Sequence, residues 1–121
     1  MIAMETVVTE VPGDPPVTVL AISGAVDAGP NGLERLGRVL DGLVDEGVRH
    51  LVVDLSSTEF LVSRALGQIL TTAVRLRGRG GNMVIAGASG SVAATALMTG
   101  LGAMVQLCET VDDAVQAVAQ A

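Results

Sequence analysis

One short run constrains the fold more than any other. LVVDL, from Leu51 to Leu55, is nearly continuous in apolar residues and lies between two segments of helical period. Before it, Leu33, Leu36, Leu40, Leu43 and Val44 recur at spacings of three and four. After it, Leu66, Ile69, Leu70, Ala73 and Leu76 do the same. A strand apolar on both faces, with helices on either side in sequence, is the signature of a parallel sheet covered by crossover helices. The chain repeats the theme. Met83 to Ala86 and Met104 to Cys108 read as further strands; Val92, Ala96 and Leu97 mark a short third helix, and Val111, Ala114, Val115 and Val118 a closing one.

The first part of the chain has a different rhythm. Thr6 to Val11 and Val17 to Ser23 are rich in Val, Thr and Ile, with Pro12, Gly13, Asp14, Pro15 and Pro16 between them. So short a connection joins antiparallel strands. Pro30 suits the first turn of helix one and Gly47 its end, which places that helix over Pro30 to Glu46. Ser63 stands where an N-cap of helix two would stand, and its replacement by Ala is expected to cost about 1 kcal/mol. Arg75, Arg77 and Arg79 fall in that helix's last turn, and Gly80 and Gly81 end it. Thr110 caps the last helix, with Asp112 and Asp113 in its first turn. The order is β-β-α-β-α-β-α-β-α: an α/β domain, residues 1–121, with a mixed, mostly parallel five-stranded sheet and four helices.

With 121 residues, half of them apolar, the chain can bury a core as one domain. A single Cys excludes an internal disulfide and a Cys-rich zinc site, and with a single His, most transition-metal sites and Ser-His or Cys-His catalysis are not expected. The net charge is -6, which disfavours nucleic acid and anionic lipid. That charge is unevenly spread. Phe60 to Cys108 holds Arg64, Arg75, Arg77 and Arg79 and no acid; the other three arginines and all 13 acids lie outside it. Gly80 to Cys108 carries no charge, but Gly87, Gly90, Gly100 and Gly102 interrupt it too often for a membrane span. MIAMETVVTE lacks the parts of a signal peptide, so a cytoplasmic location without membrane insertion is expected.

Several constellations of residues are candidates for chemistry. VIAGASGSVAAT (Val84 to Thr95) places a Gly-rich turn between a strand and a helix, with Glu109 about 20 residues on, as in a dinucleotide site. Its pattern is G-x-x-G, and only one further strand follows, so a helix entry is the better reading and no cofactor is expected. Asp27 and Asp54 fall at expected carboxyl ends of strands and can converge on one edge, where strand-end hydrogen bonding is the plainer role. His50 reads as a surface residue and Cys108 as an inert core thiol. No nucleophile–base pair, metal cluster or complete phosphate loop is present, so an enzyme is not expected. The segment SSTEFLVSRALG (Ser56 to Gly67) joins a strand end to a helix start and is rich in hydroxyls. A phosphate on Ser63 would lie in the field of the helix N-terminus beside Arg64, adding about -1.5 to -2 charge to a surface.

These pieces, in this order, resemble the STAS domain, the family of bacterial anti-sigma-factor antagonists. SGAVDA (Ser23 to Ala28) is similar to the family's Gly-x-Leu-Asp segment, and LVVDLSSTEFLVS (Leu51 to Ser63) to its third strand and following loop. GGNMVIAGAS (Gly80 to Ser89) resembles its Gly-Gly turn and fourth strand, and LMTGLGAMVQLCETVDDAV (Leu97 to Val115) its Thr-Gly-Leu turn, last strand and last helix. The resemblance covers about Val7 to Val118. It implies a protein-binding regulator that docks on a kinase-like anti-sigma factor, is switched by phosphorylation of a serine opening helix two, and is restored by a serine phosphatase. That serine corresponds to Ser63, in Val62-Ser63-Arg64-Ala65 where the family pattern is Asp-Ser-Ser-Gly, followed here by Leu66 and Gly67. The partner-binding residues expected from it are Asp27, Ser56, Ser57, Thr58, Val62, Ser63, Arg64 and Gly67. Some STAS domains are instead accessory subunits of lipid-transporting ABC systems, docking on the ATPase, and these also lack the Asp. That role, or a docking scaffold without phosphorylation, is the alternative. A ligand-binding module using the apolar 83–105 region is a third idea.

Overall fold

A computed structural model describes residues 2–98, 100 and 103–120. The elements are β1 (Glu5–Val11), β2 (Val17–Val26), a π-helical turn (Pro30–Glu34), α1 (Arg35–Asp45), β3 (His50–Leu61), α2 (Ser63–Gly78), β4 (Asn82–Ala86), α3 (Gly90–Met98), β5 (Gln106–Cys108) and α4 (Val111–Gln120). The five strands lie side by side in chain order. β1 pairs antiparallel with β2, and every later pairing is parallel.

Sequential order fixes where the helices go. Right-handed crossovers that all step the same way across a sheet put their helices on the same face. Leu20, Ile22, Leu51, Val53, Leu55 and Ile85 accordingly meet Leu36 and Leu40 of α1, Leu66 and Ile69 of α2, and Val92 and Ala96 of α3 in one core. The opposite face is left to α4 alone, whose Ala114 and Val118 cover Val17, Val19, Val52, Val84 and Ala86. Val52 and Val53 are both fully buried, one in each core, as the two-sided apolar run of β3 requires.

α1 and α2 end alike. Gly47 and Gly80 take positive φ, +100° and +82°. Behind them Val48 N–H donates to the Leu43 carbonyl (3.0 Å) and Gly81 N–H to the Leu76 carbonyl (2.8 Å), the wide bond of a Schellman motif.

The structure departs from the sequence reading in several places. Helix one opens as a π turn, with Glu34 N–H donating five residues back to the Gly29 carbonyl (3.4 Å) and Leu33 N–H tying the turn to the Asp27 carbonyl (2.8 Å). Gly32 is packed so tightly on Asp27 that a Cβ there would stand 2.6 Å from its carboxylate oxygen. The expected loop after Leu55 is instead the second half of β3, which runs to Leu61 beside an equally extended β2. β5 is shorter than expected, beginning at Gln106. Cys108 lies half-buried on that edge strand against the smaller core, not deep within it. Thr99 and Leu101 of the expected turn, and the side chain of Leu97, lie outside the described residues.

Candidate functional site

The candidate site is where β2 and β3 end and α2 begins. Ala25 pairs with Phe60 and Val26 with Leu61, and Val62 N–H then donates to the Val26 carbonyl (3.0 Å). This last bond brings the residues that follow, Asp27 and Ser63, to neighbouring strand ends. Getting there requires two register shifts between β2 and β3, at Ala21/Ser23 and at Gly24/Ala25. Such irregularities re-aim side chains near functional sites. Gly24, with φ +78°, lies against the carbonyls of Ile2 and Ala3, where any side chain would clash.

At the start of α2 the extended residue is Val62 (φ -65°, ψ 150°), so Val62 holds the N-cap position and Ser63 is the first helical residue. No side chain caps this end, which corrects the expected capping role of Ser63. The Ser63 hydroxyl is exposed, as are Arg64 and Gly67. Val62 turns partly inward against the larger core. α4 shows the opposite arrangement: Asp113 N–H donates to the Thr110 hydroxyl (3.1 Å), with Asp112 and Asp113 in the first turn, as expected.

The other expected binding residues divide. Asp27, Ser56 and Ser57 are exposed. The Asp27 carboxylate accepts from Gly29 N–H (2.9 Å), and the Asp54 carboxylate accepts from Ser56 N–H (3.0 Å). The two carboxylates do not converge. Asp54 lies opposite Ala21, six residues before Asp27 and thus roughly 20 Å along the strand, because β3 continues past it. Thr58 spends its hydroxyl on the Ile22 carbonyl (2.7 Å) and is half-buried. Ser56 packs beneath Gly87, whose φ is +74° and where a Cβ would stand 2.7 Å from that of Ser56. The Gly-rich turn after β4 therefore serves close packing onto β3. His50 is half-buried, its Nδ1 2.8 Å from Asn82 Oδ1 across the β3–β4 pair.

Two features here were not legible in the sequence. Phe60, the only Phe, Tyr or Trp of the chain, is exposed near the end of β3; the hydroxyls and acid of Ser56 to Glu59 just before it are the available signal. A hollow of about 460 Å³ opens along α2 toward α1, lined by residues including Arg64, Gly67, Thr71 and Arg75. Arg75 there is held by Asp41 (2.7 Å) and Asp45 (3.9 Å) of α1. Among the described residues no three of His, Cys, Asp and Glu are grouped so as to hold a metal ion, and no helix is long and apolar enough to cross a membrane.

With this geometry in view, the model of the STAS domain matches residues 8–114. No curated protein matches the chain. Among solved structures, an anti-sigma factor antagonist from Mycobacterium paratuberculosis is 28% identical with a TM-score of 0.85, over 96% of this chain and 94% of that one. The unphosphorylated form of the anti-sigma factor antagonist SpoIIAA is 16% identical with a TM-score of 0.75, over 95% and 98% of the two chains. The phosphorylated form of the Bacillus cell fate determinant SpoIIAA is 17% identical with a TM-score of 0.71, over 94% and 99%. The last two likenesses establish the fold alone.

Proposed function

The chain belongs to the STAS domain family, and from that premise we propose that it is an anti-sigma-factor antagonist, a regulator that docks on a kinase-like anti-sigma factor through the start of α2. The observation that carries this reading is the exposed, uncapped first turn of α2, in a chain that follows an anti-sigma factor antagonist along nearly its whole length. Ser63, Arg64 and Gly67 of α2, Asp27 after β2, and Ser56 and Ser57 of β3 supply the surface. Phe60, exposed beside them, supplies an apolar contact.

Ser63 is the candidate switch. Its hydroxyl has no hydrogen-bond partner among the described residues, and its place at the head of a helix suits a phosphate. Phosphorylation adds about -1.5 to -2 charge to the centre of the surface, which expels a partner by repulsion and by the cost of desolvating the phosphate. Removal of the phosphate by a serine phosphatase restores docking. Val62 and Arg64 flank Ser63 without a carboxylate, so the kinase must take its bearings elsewhere, and Asp27, which follows the Val26 bonded by Val62, offers an acid on the neighbouring strand end.

The test is a pull-down from native cell extract with wild type and Ser63→Asp as baits, partners being identified by mass spectrometry. A kinase-like anti-sigma factor held by wild type and lost by Ser63→Asp is the expected result. Transporter ATPase subunits, or one partner held equally by both baits, would overturn the switch and leave a constitutive docking subunit.

A further inference from the structure

α2 turns an unusual face outward. Arg64, Gly67, Thr71, Val74 and Gly78 are all exposed and follow one another at helical spacing. No acid occurs on this helix. Val74, an apolar residue, is 52% exposed on it. Gly67 is the telling member. A glycine inside a helix costs stability relative to alanine, and a Cβ at Gly67 would meet nothing within 4 Å. Nothing inside the molecule therefore asks for a glycine there. What its absent side chain leaves is bare helix surface over which another backbone can pass closely.

The charges say what passes. Arg75 is already neutralised by Asp41 and Asp45. Arg77 is turned aside to the Met104 carbonyl. Arg64 is exposed and has no hydrogen-bond or ion-pair partner among the described residues. Arg79, also exposed, stands just past the far end of the helix, about 22 Å from Arg64 at the helical rise. The hollow beside the stripe runs between α2 and the α1 acids that Arg75 holds. The Thr71 hydroxyl is bonded to the Gly67 carbonyl (2.9 Å), so this floor makes little polar demand of its own.

We propose that this stripe and the hollow beside it receive an acidic, amphipathic segment of a partner protein, its apolar side over Gly67 and Val74 and a carboxylate on Arg64. In a chain of net charge -6, Arg64, Arg77 and Arg79 on and just past an acid-free helix make a local positive strip, and Arg75 offsets the Asp41 that also lines the hollow, so the strip draws an acidic segment. The proposal rests on the reading that α2 meets a partner, and not on that partner's being an anti-sigma factor. A bare phosphate is a poor fit, since only one uncommitted guanidinium faces the hollow and an apolar valine adjoins it.

The experiment is a titration of isotopically labelled protein, followed by amide NMR shifts. The probe is a helical peptide of about 18 residues, long enough to span α2, with leucines on one face flanked by glutamates; a second peptide carries lysines in place of the glutamates. The glutamate peptide should shift amides from Ser63 to Arg79. Arg64→Glu should weaken it at least about tenfold, whereas Arg64→Lys should restore it to within about threefold. Gly67→Leu should weaken it while raising the melting temperature, a combination a purely structural glycine would not produce. The lysine peptide should leave α2 unperturbed. Equal binding to wild type, Arg64→Glu and Gly67→Leu, shifts confined to other elements, or the same α2 shifts from inorganic phosphate alone would overturn the proposal. An α2 response to the glutamate peptide, together with a wild-type bait that captures no anti-sigma factor, would uphold this inference and remove the antagonist reading. An anti-sigma factor released by Ser63→Asp, with no α2 response to the peptide, would do the reverse.

Discussion

α2 and α4 begin in opposite ways. Both follow a strand, and both have a hydroxyl residue near the first turn. At α4 the hydroxyl of Thr110 accepts a backbone N–H and two aspartates complement the helix dipole, so that end is satisfied from within. At α2 the hydroxyl of Ser63 is one residue too late to cap, no acid stands in the first turn, and an arginine follows. A helix that left its N-terminus so poorly served for no gain would be a defect. Under the proposed reading, the N–H groups at this end of α2 are left for an external acceptor, a phosphate or a partner's surface, whereas those of α4 are met from within.

Mutations can break this contrast, and the largest effect is common to any packed helix. Leu66 is buried in the larger core, so Leu66→Ala should cost about 3 kcal/mol in urea unfolding. Loss of this magnitude shows that α2 is firmly anchored despite its bare N-terminus; a cost below about 1 kcal/mol would mean that the whole helix is loosely held. Thr110→Ala should cost about 1 kcal/mol, the value of one good cap. Ser63→Asp should stabilise by about 0.5 kcal/mol, since it brings the missing negative charge to the dipole, and the gain should fade in high salt. The same variant is expected to lose its partner, so a stabilised but deaf protein is the signature of a switch. Ser63→Ala should change stability by less than about 0.5 kcal/mol. A loss as large as that of Thr110→Ala would restore a capping role to Ser63 and erase the contrast.

The same pair of helices shows what the sequence could tell. Thr110, followed by Asp112 and Asp113, is a local signal, and it reads correctly because the residues that settle it are neighbours in the chain. Ser63 looked equally good by local criteria. What displaced it is the bond from Val62 N–H to the Val26 carbonyl, which holds Val62 extended and starts the helix one residue earlier, at Ser63. No pattern in 60–67 encodes that partner. The hydroxyl-rich segment after Leu55 reads as loop for a similar reason: its backbone is claimed by the far end of β2, through two register shifts that only the paired strands reveal. The β-β-α-β-α-β-α-β-α order was legible because burial on two faces or on one imposes its period on the residues directly. The hollow along α2 was not, because it depends on how α1 lies against α2, with Gln68 so close over Gly37 that a Cβ there would stand 2.6 Å from its amide oxygen.

The strand order has a consequence for how the molecule is made. Each strand pairs with the one before it, so no strand waits for a later one to find its place. Each parallel pairing waits only for its own crossover helix, so during synthesis the sheet can grow in chain order as the chain leaves the ribosome. The exception is α4, the final element, on which Val52 and Val84 depend for cover. A series of stalled nascent chains should show β3 protected against proteolysis before residues 111–120 emerge. Until they do, Val52 and Val84 on one side of the growing sheet lack the cover that α4 gives them.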